Sequence, residues 1–219
     1  MLAVGIVAAA GSGLRLGADA PKALVPLAGR PLVRWAVDTL RAGGAAEVVV
    51  AVPPAERAAF AAAVPGVRLV DGGASRTASV RAALTVVGPE VDAVLVHDAA
   101  RPLTPPEVVA RVLAALDQGA PAVVPVLPVV DTTVLVDDGG AVVDVVPRAP
   151  LRRVQTPQGF DRRTLVEAYA ALADDADLTD DAAVVRAAGA PVATVAGDER
   201  AAKVTVPHDL AMAELQVRR

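Results

Sequence analysis

An apolar run that ends in glycines constrains the fold of this chain more than any other stretch. Residues 2–9 are apolar, and a glycine-containing segment at 10–17 follows them. The run is too short to cross a membrane and is typical of a strand that is buried on both faces of a parallel sheet. Open α/β sheets bind ligands at the carboxyl ends of their strands. The glycines therefore fall where such a fold binds a ligand.

The composition of this segment favours an anion as that ligand. Small residues at 8–13 leave backbone N–H groups unobstructed, and Gly11 and Gly13 tolerate the positive φ angles that a loop around an anion requires. Arg15 and Lys22 follow closely and supply positive charge. We interpret the segment as the triphosphate-binding loop of a nucleotidyltransferase.

Two well-known glycine motifs do not fit the spacing. A P-loop needs Gly-Lys-Ser/Thr at the start of a helix, and none follows Gly17. The dinucleotide-binding motif needs a glycine three residues after Gly13, where Leu16 stands. An ordinary strand-to-helix turn remains an alternative, because glycine often marks turns. The two cations, Arg15 and Lys22, weigh against it.

Composition excludes several classes of protein. The sequence has no cysteine and only two histidines, which excludes a disulfide scaffold, thiolate chemistry and a histidine-rich metal site. Any metal should then be held by oxygen, as Mg²⁺ is. The net charge of −4 argues against general binding of nucleic acid. Because no secretory signal and no long apolar stretch is present, we expect a cytoplasmic protein without membrane attachment.

Strand and helix patterns alternate along the chain and predict one α/β domain over residues 1–219, a Rossmann-like, mostly parallel sheet covered by helices on both faces. The predicted strands are 2–9, 47–52, 67–70, 91–96, 122–126, 190–195 and 203–205. The predicted helices are 31–43, 55–64, 105–118, 161–172, one capped at 179–181 that runs to 188, and one from Pro207.

The segment 71–80 is a second glycine loop at the end of a strand. Gly73 can bring backbone groups against a ligand base, and Ser79 can add a hydroxyl. A structural alternative is that Ser75 only caps the following helix while Ser79 lies on its surface. Loops from successive parallel strands converge, so we expect this loop near the first one.

Asp98 is the candidate metal ligand. It follows the apolar strand 91–96, which places its carboxylate at the ligand edge of the sheet, where Mg²⁺ can bridge it to phosphates. The alternative is an ion pair with Arg101 that only fixes a loop. His97 is interpreted as a packed neighbour. Lys203 is either an exposed strand end or a cation directed at a phosphate.

Residues 131–146 predict a β-hairpin, since two β-branched runs flank an Asp-Gly turn. Its valines need cover, because a two-stranded ribbon is marginal alone and exposed apolar strands aggregate. We therefore expect a homodimer in which a partner subunit covers this arm, residues 131–148, with Arg148 at its base.

Taken together, these motifs resemble the 2-C-methyl-D-erythritol 4-phosphate cytidylyltransferase family over nearly the whole chain. The segments that carry the resemblance are 8–15, 21–22, 72–80, 96–102, 131–132, 155–158 and 203–205. Each is modest alone, and their order and spacing are specific.

The resemblance implies a nucleotide-diphospho-sugar transferase-like fold, a protruding β-arm, and the Mg²⁺-dependent reaction of CTP with the alcohol phosphate of that family. It implies that Arg15 and Lys22 hold the triphosphate, that Lys203 stabilises the pentacoordinate α-phosphorus and that Asp98 holds Mg²⁺. The other implied positions are Ala9, Ala10, Gly73, Ala74 and Ser79 around cytosine, and Arg101, Thr132, Arg148 and Thr156 around the alcohol phosphate. Thr132 and Arg148 would come from the partner's arm.

Two positions depart from the family pattern. Some members carry an acidic residue where Ala74 stands and a lysine where Val134 stands, so one base contact and one arm charge differ. Because the sequence ends at Arg219, we expect no fused enzyme of a later pathway step. Two other functions stay open: a ribitol 5-phosphate cytidylyltransferase, which would differ mainly in the arm and acceptor pocket, and a nucleotide-binding regulator without catalysis.

Overall fold

One large sheet forms the centre of the structure, a computed structural model that describes residues 1–11, 20–173 and 178–218. The strands in chain order are β1 (Ala3–Ala8), β2 (Pro26–Leu27), β3 (Arg30–Pro31), β4 (Glu47–Val52), β5 (Arg68–Asp71), β6 (Ala93–Asp98), β7 (Ala122–Pro128), β8 (Thr133–Val136), β9 (Val142–Val146), β10 (Arg152–Val154), β11 (Gln158–Asp161) and β12 (Ala193–Ala196). The large sheet has the order β10-β7-β11-β6-β1-β4-β5, with β12 paired to β7.

The sheet is mostly parallel, as predicted. β1 lies parallel to both β4 and β6, while β10 and β11 run antiparallel to their neighbours. The helices are α1 (Leu32–Ala42), α2 (Arg57–Ala63), α3 (Arg76–Leu84), α4 (Pro106–Asp117), α5 (Arg162–Ala171), α6 (Asp181–Ala187) and α7 (Pro207–Val217). Each predicted helix is present, with ends that differ by one to a few residues from the predicted ones. In the described ranges, no helix has the length and apolar character needed to cross a membrane.

Helices cover both faces of the sheet and enclose two apolar cores. Val7 of β1 packs on one face with residues of α1, α2 and α4, and Ile6 packs on the other face with residues of α3, α5 and α6. Successive strand side chains point to opposite faces, so a strand buried on both must be apolar throughout. This explains the continuous apolar run at the start of the chain.

A third, smaller core joins two segments that are distant in sequence. Val25, Leu27 and Leu32 pack with Val204 and with Ala213 of α7. Lys22 lies just before the first of these residues, and Lys203 is adjacent to Val204. The small core therefore fixes the backbone of both lysines relative to the sheet.

The segment 203–205 was predicted to be a strand, and that prediction is wrong. Val204 donates one backbone hydrogen bond to Ala100, but the N–H of Thr205 bonds to the carboxylate of Asp209 at 2.7 Å instead of to a strand. Because Asp209 caps the start of α7, the segment is an extended loop that is held at both ends. The short β2–β3 hairpin was not predicted.

The predicted arm hairpin is present. β8 and β9 pair antiparallel in a sheet of their own, and the turn between them has Asp138 and Gly139 at its centre, with Gly140 at φ 83°. Its apolar side chains face solvent: Val142 is 63% exposed and Leu135 54%. The described residues of this protomer give these side chains little apolar cover.

Candidate active site

A cavity of about 570 Å³ lies where β1 and β6 end, at the carboxyl edge of the sheet. All of the predicted nucleotide-site residues that the structure describes lie on its wall. They are Ala9, Ala10, Gly11, Lys22, Gly73, Ala74, Ser79, Asp98 and Lys203. The two other positions predicted for this site, Gly13 and Arg15, lie outside the described residues.

Both lysines of the chain line this cavity. The sequence contains 21 lysines and arginines, of which only Lys22 and Lys203 are lysines. Lysine carries a compact charge on a flexible stem with rotatable donors, whereas arginine presents a fixed fork. Two lysines at one cavity in a chain that otherwise uses arginine indicate a site that needs mobile positive charges.

Asp98 is surrounded by cations. Lys203 Nζ lies 2.8 Å from one of its carboxylate oxygens, Arg76 Nε lies 3.3 Å from the other, and Arg101 Nε lies 4.0 Å away. Burial opposes its charge, but these cations, Arg76 and Lys203 first, hold the pKa of Asp98 well below its usual range. Asp98 is therefore ionised at neutral pH. The predicted ion pair with Arg101 is present only as a long contact.

Arg76 is a cavity residue to which the sequence analysis assigned no role. It stands at the first position of α3, where the helix dipole disfavours a positive charge. Its guanidinium spans two carboxylates, since Nη2 lies 2.7 Å from Asp181 as well as Nε near Asp98. Burial opposes the charge of Arg76, but these carboxylates raise its pKa above its usual value. The sequence did contain a signal for Arg76, namely an arginine at a helix start, where a positive charge is unfavourable.

The second glycine loop contacts the first. A Cβ atom at Gly72 would lie 2.6 Å from Cβ of Ala10, so only glycine allows the two loops to approach this closely. Ser79 is 1% exposed, and its hydroxyl accepts from Gly73 N–H and donates to the Ser75 carbonyl. Ser79 therefore shapes this loop and does not lie on the helix surface.

Two conformational expectations at these loops can be checked directly. Ser75 caps α3, because its hydroxyl accepts from Ala78 N–H at 3.0 Å, so this part of the capping alternative is confirmed, while its placement of Ser79 on the helix surface is wrong. Gly11 does not adopt the positive φ that the sequence suggested. Among the described residues, nothing beyond its chain neighbours comes within 4 Å of the space a Cβ would fill, so these residues impose no steric requirement for glycine at position 11.

Arg101 and Thr156 lie beside Asp98, with their polar groups engaged by the protein. Arg101 donates to the carbonyls of Ala201 and Val154, at 2.7 and 3.3 Å. Thr156 accepts from Asp98 N–H at 3.1 Å and lies 2.8 Å from Nδ1 of His97. Both residues hold the loops around Asp98 in place, and neither is on the cavity wall.

Thr132 and Arg148 lie on the arm and are exposed. Arg148 donates to the Val130 carbonyl at 2.5 Å and so joins the two ends of the arm. Neither residue lines the cavity of its own protomer.

The cavity wall suits Mg²⁺ only together with a phosphate ligand. Among the described residues no group of three or more His, Cys, Asp or Glu side chains is placed to hold a metal. Asp98 supplies an ionised carboxylate, and Mg²⁺ at phosphate-transfer sites commonly uses one or two carboxylates together with water and substrate phosphates. A nucleoside triphosphate would provide the missing oxygens.

Comparisons with known proteins agree with this geometry. A family model described as 2-C-methyl-D-erythritol 4-phosphate cytidylyltransferase matches residues 3–219. The chain is 51% identical to the enzyme of that name from Nocardia farcinica (96% of this chain, 92% of that protein) and 52% identical to the one from Saccharopolyspora erythraea (98% of each). It is also similar to the crystal structure of the Thermus thermophilus enzyme of the same name, with a TM-score of 0.83, 42% identity and full coverage of both chains.

Proposed function

The chain belongs to the 2-C-methyl-D-erythritol 4-phosphate cytidylyltransferase family, and we propose that its cavity is where this reaction takes place. The enzyme converts CTP and 2-C-methyl-D-erythritol 4-phosphate to 4-CDP-2-C-methyl-D-erythritol and pyrophosphate, in the non-mevalonate isoprenoid pathway. The observation that carries the assignment to this cavity is the convergence of Lys22, Lys203 and Asp98 at one carboxyl edge of the sheet.

In the reaction an oxygen of the alcohol phosphate attacks the α-phosphorus of CTP. A new P–O bond forms, the bond from the α-phosphorus to the oxygen that bridges to the β-phosphorus breaks, and pyrophosphate leaves with that oxygen. Both reactants are anions, so positioning and neutralisation of charge carry most of the catalysis. A cavity with mobile cations on its wall meets that requirement.

The proposed roles of the cations follow from where they lie. Lys22, with Arg15, binds the triphosphate, and Lys203 binds the α-phosphate as negative charge develops there. Asp98 holds Mg²⁺, which when bound neutralises phosphate charge and orients the triphosphate. In the free protein Asp98 keeps Lys203 directed at the cavity.

The base and the acceptor occupy different sides of the site. The backbone at Ala9, Ala10, Gly11, Gly13, Gly73 and Ala74 and the Ser79 hydroxyl form the cytosine side. We propose that Thr132 and Arg148 of a partner's arm form the alcohol phosphate side, and that Arg101 and Thr156, which here bond to the loops around Asp98, border it. The exposed valines of the arm support a homodimer in which the arms contact the opposite subunit. A cytoplasmic location remains a prediction from the sequence.

A pyrophosphate-release assay tests this function. With CTP and Mg²⁺, we expect turnover of 2-C-methyl-D-erythritol 4-phosphate, a much lower kcat/KM for ribitol 5-phosphate, and loss of activity when EDTA removes the metal. Preference for ribitol 5-phosphate would assign the other acceptor, and no release with either would indicate a nucleotide-binding regulator. Full activity in EDTA would refute the role proposed for Asp98.

A further inference from the structure

A chain of buried polar contacts leads from Asp98 into the protein interior. Arg76 connects Asp98 to Asp181, and Asp181 in turn accepts a hydrogen bond from the Tyr169 hydroxyl at 2.6 Å. Asp181 is 0% exposed and Tyr169 is 4% exposed, and neither lines the cavity. Substrate therefore has no access to this end of the chain of contacts.

A buried carboxylate of this kind needs a function or strong compensation. Removing an ionised group from water costs several kcal/mol, so buried charges are generally paired. Asp181 is compensated by Arg76 and Tyr169. Asp181 also holds the guanidinium of Arg76 in place, and the other edge of that guanidinium faces Asp98.

Arg76 and Lys203 hold different oxygens of the same carboxylate. Arg76 Nε approaches Oδ1 of Asp98 at 3.3 Å, and Lys203 Nζ approaches Oδ2 at 2.8 Å. If Lys203 turns to a substrate phosphate, it leaves the oxygen that it holds here. Of the protein's own cations, Arg76 would then be the closest one left beside Asp98, because Arg101 is 4.0 Å away.

We propose that Arg76 is a positioning residue that compensates the negative charge of Asp98. Lys203 is thereby free to move from Asp98 to the reacting phosphate. Asp181 anchors Arg76 so that it stays with Asp98 and does not follow the phosphates itself. Arginine suits this role because its rigid fork can hold two carboxylates at once, which the single ammonium group of a lysine cannot do in the same geometry. The inference rests on the function proposed above.

The alternative role for Arg76 is direct contact with a substrate phosphate, and a double-mutant cycle distinguishes the two. Arg76→Gln in the otherwise unchanged protein should lower kcat by at least about tenfold, with KM for CTP changed less than about threefold. In a Lys203→Ala background the same substitution should lower kcat by less than about threefold, because Lys203 is no longer present to be freed from Asp98. Equal losses in both backgrounds would overturn the proposal.

The anchor provides a second, independent measurement. Asp181→Asn alters a residue that cannot touch substrate, and it should lower kcat by roughly threefold to tenfold, an effect that disappears when Arg76→Gln is already present. The combined Arg76→Gln and Asp181→Asn variant also avoids an uncompensated buried carboxylate, so it keeps the test possible if Arg76→Gln alone does not fold. If neither Asp181→Asn nor the combined variant changes kcat, the proposal is likewise refuted.

Arg57→Gln is the matched control. Arg57 also forms a close pair with an aspartate, Asp71 at 2.6 Å, but both side chains are about half exposed and away from the cavity wall. This variant should keep the kcat of the unaltered protein. The unaltered protein is measured in the same assay. If it shows no turnover, the proposed function is refuted. If it turns over and the Arg76→Gln variant has the same kcat, only the role of Arg76 is refuted.

Discussion

The role of Lys203 depends on the residues that surround it. Its side chain is 44% exposed, which is ordinary for a lysine, yet Nζ lies 2.8 Å from a carboxylate oxygen of Asp98 on a cavity wall. Lys203 is partly exposed, whereas the carboxylate that it pairs with is mostly buried and is also paired with Arg76. In the function proposed above, this contact orients a mobile cation toward the α-phosphate of CTP.

We therefore predict that Lys203→Ala lowers kcat by about a hundredfold or more, while the free energy of unfolding falls by only about 1 to 3 kcal/mol because Arg76 still pairs with Asp98. The reason is that a cation at the α-phosphate acts most strongly when charge builds up in the transition state. Steady-state kinetics and urea unfolding measure the two quantities. Arg163→Ala, which removes an exposed cation paired with Glu167 on α5, is the control. An unchanged kcat would return Lys203 to the role of a surface residue.

At the scale of elements, the arm is the part of the structure that its own protomer does not complete. β8 and β9 contact each other but belong to no larger sheet, and Val136, Val142 and Val145 are each more than half exposed. An isolated hairpin is marginally stable in water, and an apolar patch of this kind usually marks an interface. A second copy of the chain is the partner that we propose.

For the arm we predict that Arg148→Ala raises KM for the alcohol phosphate by roughly tenfold or more, with a much smaller change for CTP, because a charged hydrogen bond to phosphate is lost. Arg152→Ala, a neighbouring exposed arginine bonded to local carbonyls, is the control. Deletion of residues 134–143 should give inactive monomers of about one chain mass in light scattering.

Mixing two impaired chains, assayed at an alcohol phosphate concentration near the KM of the unaltered protein, tests whether the arm acts on the opposite subunit. In a heterodimer of an Arg148→Ala chain and a Lys203→Ala chain, one site would combine an intact Lys203 with an intact arm. Recovered activity is the expected result. If heterodimers form and no activity returns, the arm acts only within its own subunit or not at all.

On the scale of the whole molecule, stability is coupled to pH through His97. This residue is completely buried, and burial lowers its pKa from 6.5 to about 4. The folded protein therefore keeps His97 neutral at a pH where the unfolded chain binds a proton. Stability that is complete above about pH 6.5 should then be lost as the pH falls toward 4, since the unfolded state binds more protons there.

His97→Gln should remove this dependence. Between pH 7 and pH 4.5, the free energy of unfolding of the unaltered protein should fall by about 2 to 3 kcal/mol more than that of the variant. Urea unfolding without added metal measures the difference. His208→Gln, at the exposed second histidine, should behave as the unaltered protein does. Equal pH dependence in the His97→Gln variant would contradict the assignment.

The sequence by itself determined the fold class and most of the cavity wall. The continuous apolar strands require a sheet covered on both faces, and the glycines after β1 and β5 follow strands whose carboxyl ends must meet. Local patterns were sufficient for these features. The alternation of side chains along a strand, the conformational freedom of glycine and the direction of the chain all act over short distances in the sequence. For that reason the sequence alone predicts Lys22, Gly73, Ser79 and Asp98 at one site.

Only the tertiary structure decided which polar groups pair. Asp181 is 83 residues from Asp98 in sequence, and nothing local indicates that Arg76 spans both. Likewise, the capping carboxylate of Asp209 takes the N–H that a strand at 203–205 would need, and Thr156 uses its hydroxyl on Asp98 and His97. Such contacts depend on the packing of distant elements, because a buried charge takes whichever partner the fold brings within reach.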